Sequence, residues 1–188
     1  MEKTQRATNI FYAYSFIFLE KVSMQAKLLF LYLCRLADRN GKCFPAHQSM
    51  SRCCNISKSA VCGAIRELEQ KGILTRDKRF RHDGMQSSNW YKIKTDSEAW
   101  FCSYTNVLDM EISAQAKLVY LFFCRMANKE GMCFPSRKLI GKACSIGQTK
   151  VTGTLKELEE AGLIKRTAQF RPENKGQTSN IYTVFEPG

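Results

Sequence analysis

The sequence predicts an α+β, mainly α fold made of two tandem copies of one unit, three helices followed by a small β-hairpin. Three observations carry that prediction. One stretch occurs twice, ISKSAVCGAIRELEQKGILTR from Ile56 to Arg76 and IGQTKVTGTLKELEEAGLIKR from Ile146 to Arg166. The same register of 90 residues holds outside it, matching Phe11 with Phe101, Tyr14 with Tyr104, Ile17 with Val107 and Val22 with Ile112. In both copies apolar residues recur at helical spacing up to a glycine and then give way to short strand-like runs. A chain of 188 residues holds two units of roughly 90 residues, each with enough apolar content for a modest core.

Taken in order, residues 1–9 are polar and expected to be flexible. The first unit is expected to span residues 10–94 and the second residues 100–188. A linker of about five residues, 95–99, leaves little freedom between them. Tyr14 to Leu19 and Tyr104 to Leu108 are aromatic and β-branched, and read as extended segments that cover each core. Ser23 and Ser113 are good N-caps for strongly patterned helices, Met24 to Asp38 and Ala114 to Asn128, each ending near a glycine, Gly41 or Gly131. Cys-Phe-Pro follows in both copies, and Pro45 and Pro135 force an extended approach to the next helix.

That helix is short, His47 to Cys54 and Arg137 to Cys144, and its end reads as a helix-turn-helix. Met50 and Ile140 point inward, and Ser51 and Gly141 are small where the following helix must cross closely. Asn55 and Ser145 take the turn, asparagine being the better fit to a left-handed conformation. Ser57 caps the third helix of the first unit; Gly147 stands in its place in the second. Val61, Ile65 and Leu68, or Val151, Leu155 and Leu158, form its buried stripe. Beyond Gly72 and Gly162, Ile73 to Arg81 with Asn89 to Lys94, and Leu163 to Arg171 with Asn180 to Phe185, read as strand, tip and returning strand, a β-hairpin wing.

The nine cysteines follow the duplication, since Cys34, Cys43 and Cys54 recur as Cys124, Cys133 and Cys144. With no signal peptide the expected compartment is a reducing cytoplasm, where such residues act as small buried hydrophobes. Cys43, His47, Cys53 and Cys54 lie close together, but their second copy reads Cys133, Arg137, Ala143 and Cys144, and no Cys-x-x-Cys occurs. No metal and no cofactor is expected. Residues 10–19 are too short an apolar run to span a membrane.

The free face of the third helix is small, polar and basic. In the first unit it carries Lys58, Ser59, Ala60, Cys62, Gly63 and Arg66; in the second Gln148, Thr149, Lys150, Thr152, Gly153 and Lys156. Neither face meets an acidic residue before Glu67 or Glu157. Such a face suits a DNA major groove, where acidic or bulky groups would meet phosphate walls. The wings add Arg76, Lys78, Arg79, Arg81 and His82 in the first unit, and Lys165, Arg166, Arg171 and Lys175 in the second. Lysines, arginines and the wing cations would neutralise phosphates, while Ser59, Gln148, Thr149 and Thr152 could reach base edges. Gly63 and Gly153 cost about 1 kcal/mol each against alanine in a helix, and so point to a close approach, to DNA or to another helix.

The net charge of +12 is unevenly shared, with 17 basic against 7 acidic residues in 1–94 and 12 against 10 in 95–188, or +10 and +2. An asymmetric basic excess points to a polyanion, and the first unit is expected to supply most phosphate affinity while the second supplies selectivity.

The order strand, helix, helix, turn, helix, hairpin makes each half a winged helix-turn-helix unit. The stretch from Ser113 to Arg166 closely resembles a winged-helix family widespread in bacterial, phage, plasmid and mobile-element regulatory and replication proteins. The likeness rests on Ser113-x-x-Ala116-Lys117, Phe134-Pro135-Ser136-Arg137, the block Leu155 to Ile164, and Gly176-Gln177-Thr178-Ser179-Asn180-x-Tyr182. The first half is similar but diverged, keeping Phe44-Pro45, Glu67-Leu68-Glu69, Gly72 and Ser87-Ser88-Asn89-x-Tyr91 without the glycine before Gln86. The resemblance implies sequence-specific binding of double-stranded DNA, with transcriptional regulation as the first role and replication initiation, or origin binding on a plasmid, phage or mobile element, as the alternative. Two helices about 34 Å apart would meet successive major grooves of one duplex, giving a footprint of about two turns.

Another class of function is a protein-interaction module, in which the aromatic runs Phe11 to Phe18 and Trp90 to Phe101 form a homo-oligomer interface. Catalysis is the weakest class. There is no glycine-rich phosphate loop and no His-x-x-x-His, and only His47 and His82 could serve as a base.

Overall fold

The protein is described by a computed structural model, which covers residues 9–80, 82, 84–85, 87–95, 99–169 and 179–188. In the first half, strand β1 (Ile10–Tyr14) and a 3-10 turn (Ser15–Phe18) precede helix α1 (Met24–Leu36), strand β2 (Lys42–Cys43), helices α2 (His47–Cys54) and α3 (Lys58–Gln70), and strands β3 (Leu74–Asp77) and β4 (Trp90–Ile93). The second half repeats the order. It has β5 (Trp100–Tyr104), a 3-10 turn (Asn106–Leu108), α4 (Ala114–Met126), β6 (Met132–Cys133), α5 (Arg137–Cys144), α6 (Gln148–Glu160), β7 (Ile164–Thr167) and β8 (Ile181–Val184). The fold is mainly helical, with two helix-turn-helix regions and small antiparallel wings, as the sequence predicts.

The caps explain the boundaries. Ser23 and Ser113 accept hydrogen bonds from the backbone of Ala26 and Ala116. Two further bonds tie each cap serine to the third helix of its own half: Glu67 accepts from the backbone N–H and hydroxyl of Ser23, and Glu157 from those of Ser113 at 2.6 Å each. The first carboxylate on each of α3 and α6 is therefore spent inside the fold. Helices α1 and α4 end two residues before the expected Asp38 and Asn128. The Asp38 side chain accepts from Asn40 and Lys42 at 2.8 and 2.9 Å, and that of Asn128 from Glu130 and Met132 at 3.0 and 2.9 Å, which binds these residues to the following turn instead of the helix. In that turn Gly41 has φ +74°, and a Cβ there would lie 2.7 Å from Thr95 and 2.9 Å from the Ile93 carbonyl.

Within the helix-turn-helix, Asn55 and Ser145 both adopt the left-handed conformation, at φ 50° and 54°. Ser51 donates its hydroxyl to the Ile56 carbonyl at 2.6 Å. At the matching place a Cβ on Gly141 would sit 2.9 Å from the Ile146 carbonyl, so only a small residue fits the crossing. Each wing gains a third strand that periodicity does not reveal. The sheets run β2-β4-β3 and β6-β8-β7, and the residues before the Phe-Pro pair supply the outer strand.

The segments before α1 and α4 differ from expectation. Extended structure lies earlier, at β1 and β5, while Ser15–Phe18 and Asn106–Leu108 wind into 3-10 turns. Nor do the strands cover separate cores. They pair with each other, antiparallel, in the register Ile10 with Tyr104, Tyr12 with Cys102 and Tyr14 with Trp100. Under the 90-residue offset the first and last of these pairs exchange places and the middle pair maps onto itself, so a pseudo-two-fold axis passes between Tyr12 and Cys102.

The same reciprocity holds for the buried lysines and the turn residues. Lys27 Nζ donates to the carbonyls of Phe18 (3.3 Å) and Ala143 (2.7 Å), and Lys117 Nζ to those of Leu108 (2.8 Å) and Cys53 (2.7 Å). Asn55 Nδ2 donates to the Ile112 carbonyl at 3.0 Å, and Ser145 Oγ to the Val22 carbonyl at 2.8 Å. Each left-handed turn residue thus hydrogen-bonds to the opposite half. One apolar core runs through both halves, with Phe18 5.2 Å from Phe122. This is the geometry of an isologous dimer made within one chain.

Cys34, Cys43, Cys54, Cys133 and Cys144 are buried and free, and burial pushes their thiols up to about 12 from 9.0. Such a thiol keeps its proton in the folded chain and loses it in the unfolded one, so between these values stability falls as pH rises, by about 1.4 kcal/mol per pH unit per thiol. Burial of Lys27 and Lys117 lowers their values below 10.5, which acts with the opposite sign. The raised thiols outnumber the two ammonium groups, Cys124 being pushed up by burial to about 11 as well, and so set the outcome. The melting temperature is expected to drop steeply above about pH 9, and a flat profile in thermal melts from neutral to alkaline pH would contradict it.

Candidate nucleic-acid interface

Helices α3 and α6 each bury one stripe, Val61, Ala64, Ile65 and Leu68 or Val151, Thr154, Leu155 and Leu158, and leave the other face free. Lys58, Ser59, Gly63 and Arg66 are exposed on the first, with Ala60 and Cys62 half-buried. Gln148, Thr149, Lys150, Thr152, Gly153 and Lys156 are exposed on the second. A Cβ built on Gly63 or Gly153 meets nothing within 4 Å. Of the two close approaches that these glycines point to, packing on another helix of this chain is thereby removed, and an external surface remains.

Local geometry sets how these faces are held. Ser57 caps α3 by accepting from the Ala60 N–H at 3.1 Å and meets Ser59 Oγ at 2.9 Å, whereas Gly147 offers α6 no side-chain cap. Behind Cys62, His47 links three elements: its Nδ1 lies 3.8 Å from Cys62 Sγ and its Nε2 3.0 Å from the Tyr91 hydroxyl. Burial, and then the nearby charge of Arg76, hold His47 below its ordinary value and favour the neutral ring. The imidazole thus packs α2, α3 and β4 together. Among the described residues no group of three or more His, Cys, Asp or Glu side chains is placed to hold a metal ion.

The wing cations fall into groups that sequence does not separate. Arg76 and Arg166 are not free: Arg76 pairs with Glu69 through Nε and Nη2, both at 3.1 Å, and Arg166 with Glu159 at 3.0 Å. Each clamps the base of its wing to the last turn of its recognition helix. Arg79 stacks its guanidinium over Phe44 and Trp90, at 5.4 and 5.3 Å from the ring centres. Lys78 and Lys165 are exposed, as is His82. Lys156 pairs with Glu160 at 3.4 Å on an open surface, a contact that a phosphate could replace. Arg81, Arg171 and Lys175 lie outside the described residues.

Two further basic sets come from the fold. Lys42 and Lys92 face each other as register partners in the first wing sheet and are both exposed. Like charges directly opposite on a sheet are unfavourable, and Asp77 lines the same hollow as the two lysines; the second wing has Met132 opposite Thr183 at that register position. Arg137, Lys138 and Lys142 are exposed on α5, which precedes α6 as the first helix of the helix-turn-helix. Their signal in the sequence is a run of charge on the polar face of a short helix. The Lys42–Lys92 pairing has none, because register is a tertiary fact.

A family model described as a helix-turn-helix domain matches the chain twice, at residues 21–74 and 111–164. No curated protein matches it. Among solved structures, the crystal structure of the Pi initiator protein in complex with iteron DNA superposes with a TM-score of 0.58 at 8% sequence identity, covering 96% of this chain and 98% of that one. Among the described residues no helix is long and apolar enough to cross a membrane.

Proposed function

The chain belongs to the helix-turn-helix domain family, and from that premise we propose that it binds double-stranded DNA with both recognition helices on one duplex, as a replication initiator. The observation that carries the DNA reading is the pairing of two free, acid-poor helix faces with a reciprocal interface that holds them in one relative orientation. A polyanion meets Lys58 and Arg66 on one helix and Lys150 and Lys156 on the other, while Ser59, Gln148, Thr149 and Thr152 reach toward base edges. Glu67 and Glu157 do not oppose it, since their carboxylates are bonded to Ser23 and Ser113. The expected units, residues 10–94 and 100–188, then act as two lobes of one reader joined through residues 95–99.

The initiator role is preferred to transcriptional regulation on one observation. The likeness to the Pi initiator protein extends over nearly the whole of both chains, 96% of this one and 98% of that one, and so takes in both helix-turn-helix halves.

Two-fold reciprocity gives this reading a specific form. Lobes related by an isologous contact present their helices in opposite senses along a duplex. The helices themselves differ in sequence, so the two parts of the site are inverted in orientation but unlike in bases. Selection of bound duplexes from a random pool is expected to return one asymmetric motif about two turns long. Two identical direct copies, or no enrichment, would overturn the reading. Capture of fragments from the source replicon separates the roles: clustered sites support initiation, and a single site over a promoter supports regulation.

A further inference from the structure

The reciprocal interface is not identical on its two sides, and one of the differences concerns an arginine. On one side Arg35 crosses to Asp109, Nη2 to Oδ2 at 2.7 Å, and Cys53 Sγ stands 3.7 Å from the other oxygen of that carboxylate. On the other side the 90-residue register puts Arg125 in the place of Arg35 but Leu19 in the place of Asp109. Leu19 is 77% exposed, the most open large apolar side chain among the described residues. Among the described residues Arg125 has no carboxylate within ion-pair distance. Its Nη1 donates to the Met126 thioether at 3.4 Å, its guanidinium lies 5.9 Å from the centre of the Phe18 ring, and its buried Nε has no partner.

Beside Arg125 opens a groove of about 680 Å³ between the first 3-10 turn, the end of α4, and α5. Leu19, Met126 and Leu139 give it an exposed apolar edge. Its charged lining is Lys21, Arg125 and Lys142 against a single acid, Glu20.

We propose that this groove docks an acidic, leucine-bearing segment of a partner protein, whose carboxylate takes on Arg125 the position that Asp109 takes on Arg35. The duplicated chain supplies its own comparison: one scaffold, with the carboxylate provided internally on one side and left to be provided from outside on the other. A guanidinium already held among apolar groups forms strong charge-assisted hydrogen bonds to a carboxylate. Arginine beside apolar pockets is a typical anchor of protein interfaces. The net positive lining selects an acidic segment over a basic one. None of the lining residues belongs to α3, α6 or a wing, and only Lys142 on α5 is shared with the basic sets described above, so a Leu19 or Arg125 variant tests the groove without touching the recognition helices.

The test uses the full chain and a fluorescein-labelled peptide of about twelve residues mixing Asp and Glu with Leu, followed by anisotropy. Saturable binding is expected, weakened about tenfold or more by Arg125→Gln and by replacing the peptide's acids with Asn and Gln. Leu19→Asp is the decisive variant. It installs internally the carboxylate that Asp109 provides opposite Arg35, and should abolish peptide binding while melting at or above the parent temperature and leaving duplex-DNA binding unchanged. The proposal is overturned if no saturable binding is seen, if the neutral peptide binds equally, or if Leu19→Asp binds like the parent. It also fails if decanoate binds with the same Leu19→Asp sensitivity while the peptide does not, or if the chain forms a dimer on a sizing column that Leu19→Asp breaks. Those two results assign the groove to a small lipid anion or to a second copy of the chain.

Discussion

A chain carrying Lys117→Met is expected to lose about 2–4 kcal/mol of stability, measured as a lower midpoint in urea at neutral pH. The Lys117 side chain is 2% exposed and its ammonium joins the Leu108 carbonyl of its own half to the Cys53 carbonyl of the other. Two effects oppose each other. Methionine fills the same space and removes the cost of burying a charge, which by itself can be neutral or favourable. It also leaves two carbonyls without their donor, at about 1–3 kcal/mol each, and this is expected to prevail because both bonds are 2.7–2.8 Å long. Lys27→Met should cost less, since its bond to Phe18 is longer, at 3.3 Å. Lys129→Met, at an exposed position, is the control. An unchanged midpoint for Lys117→Met would mean that the Lys117 ammonium adds nothing net to the contact between the halves.

Reversing one charge on each recognition helix, Lys58→Glu with Lys150→Glu, is expected to weaken duplex binding by about 100-fold or more at low salt and to reduce the slope of log K against log salt by about 2. Both lysines are exposed, so the fold should survive and the melting temperature should change little. Reversing Arg76 is expected to act differently. Its partner is Glu69, so Arg76→Glu loosens the wing base and reduces stability along with affinity. A salt slope that stays put in the double variant would remove both helices from the interface. The +10 and +2 charge division between the halves adds a ranking: Lys58→Glu alone should cost more affinity than Lys150→Glu alone.

Much of this protein was readable from the chain itself because each unit repeats one local logic. The caps at Ser23, Ser113 and Ser57, the apolar stripes of the third helices and the paired runs of the wings all depend on neighbours within a few residues. Helices α2 and α5 begin and end where their spacing places them. The free faces of α3 and α6 were legible for the same reason, since a stripe that must be buried defines the face that need not be.

Only the tertiary structure decided what each buried surface meets. Composition marked the aromatic runs before α1 and α4 as covers for the cores, but not that the strands there would pair with each other around a pseudo-dyad. Nothing local marked Lys27 and Lys117 as buried, because their acceptors are backbone carbonyls that every residue carries and that lie partly on the opposite half. Arg76 and Arg166 read as free cations until the fold brought Glu69 and Glu159 beside them. Sequence determines which groups a helix or strand will present; the partner of each group is set by contacts far along the chain, where a periodic pattern carries no information.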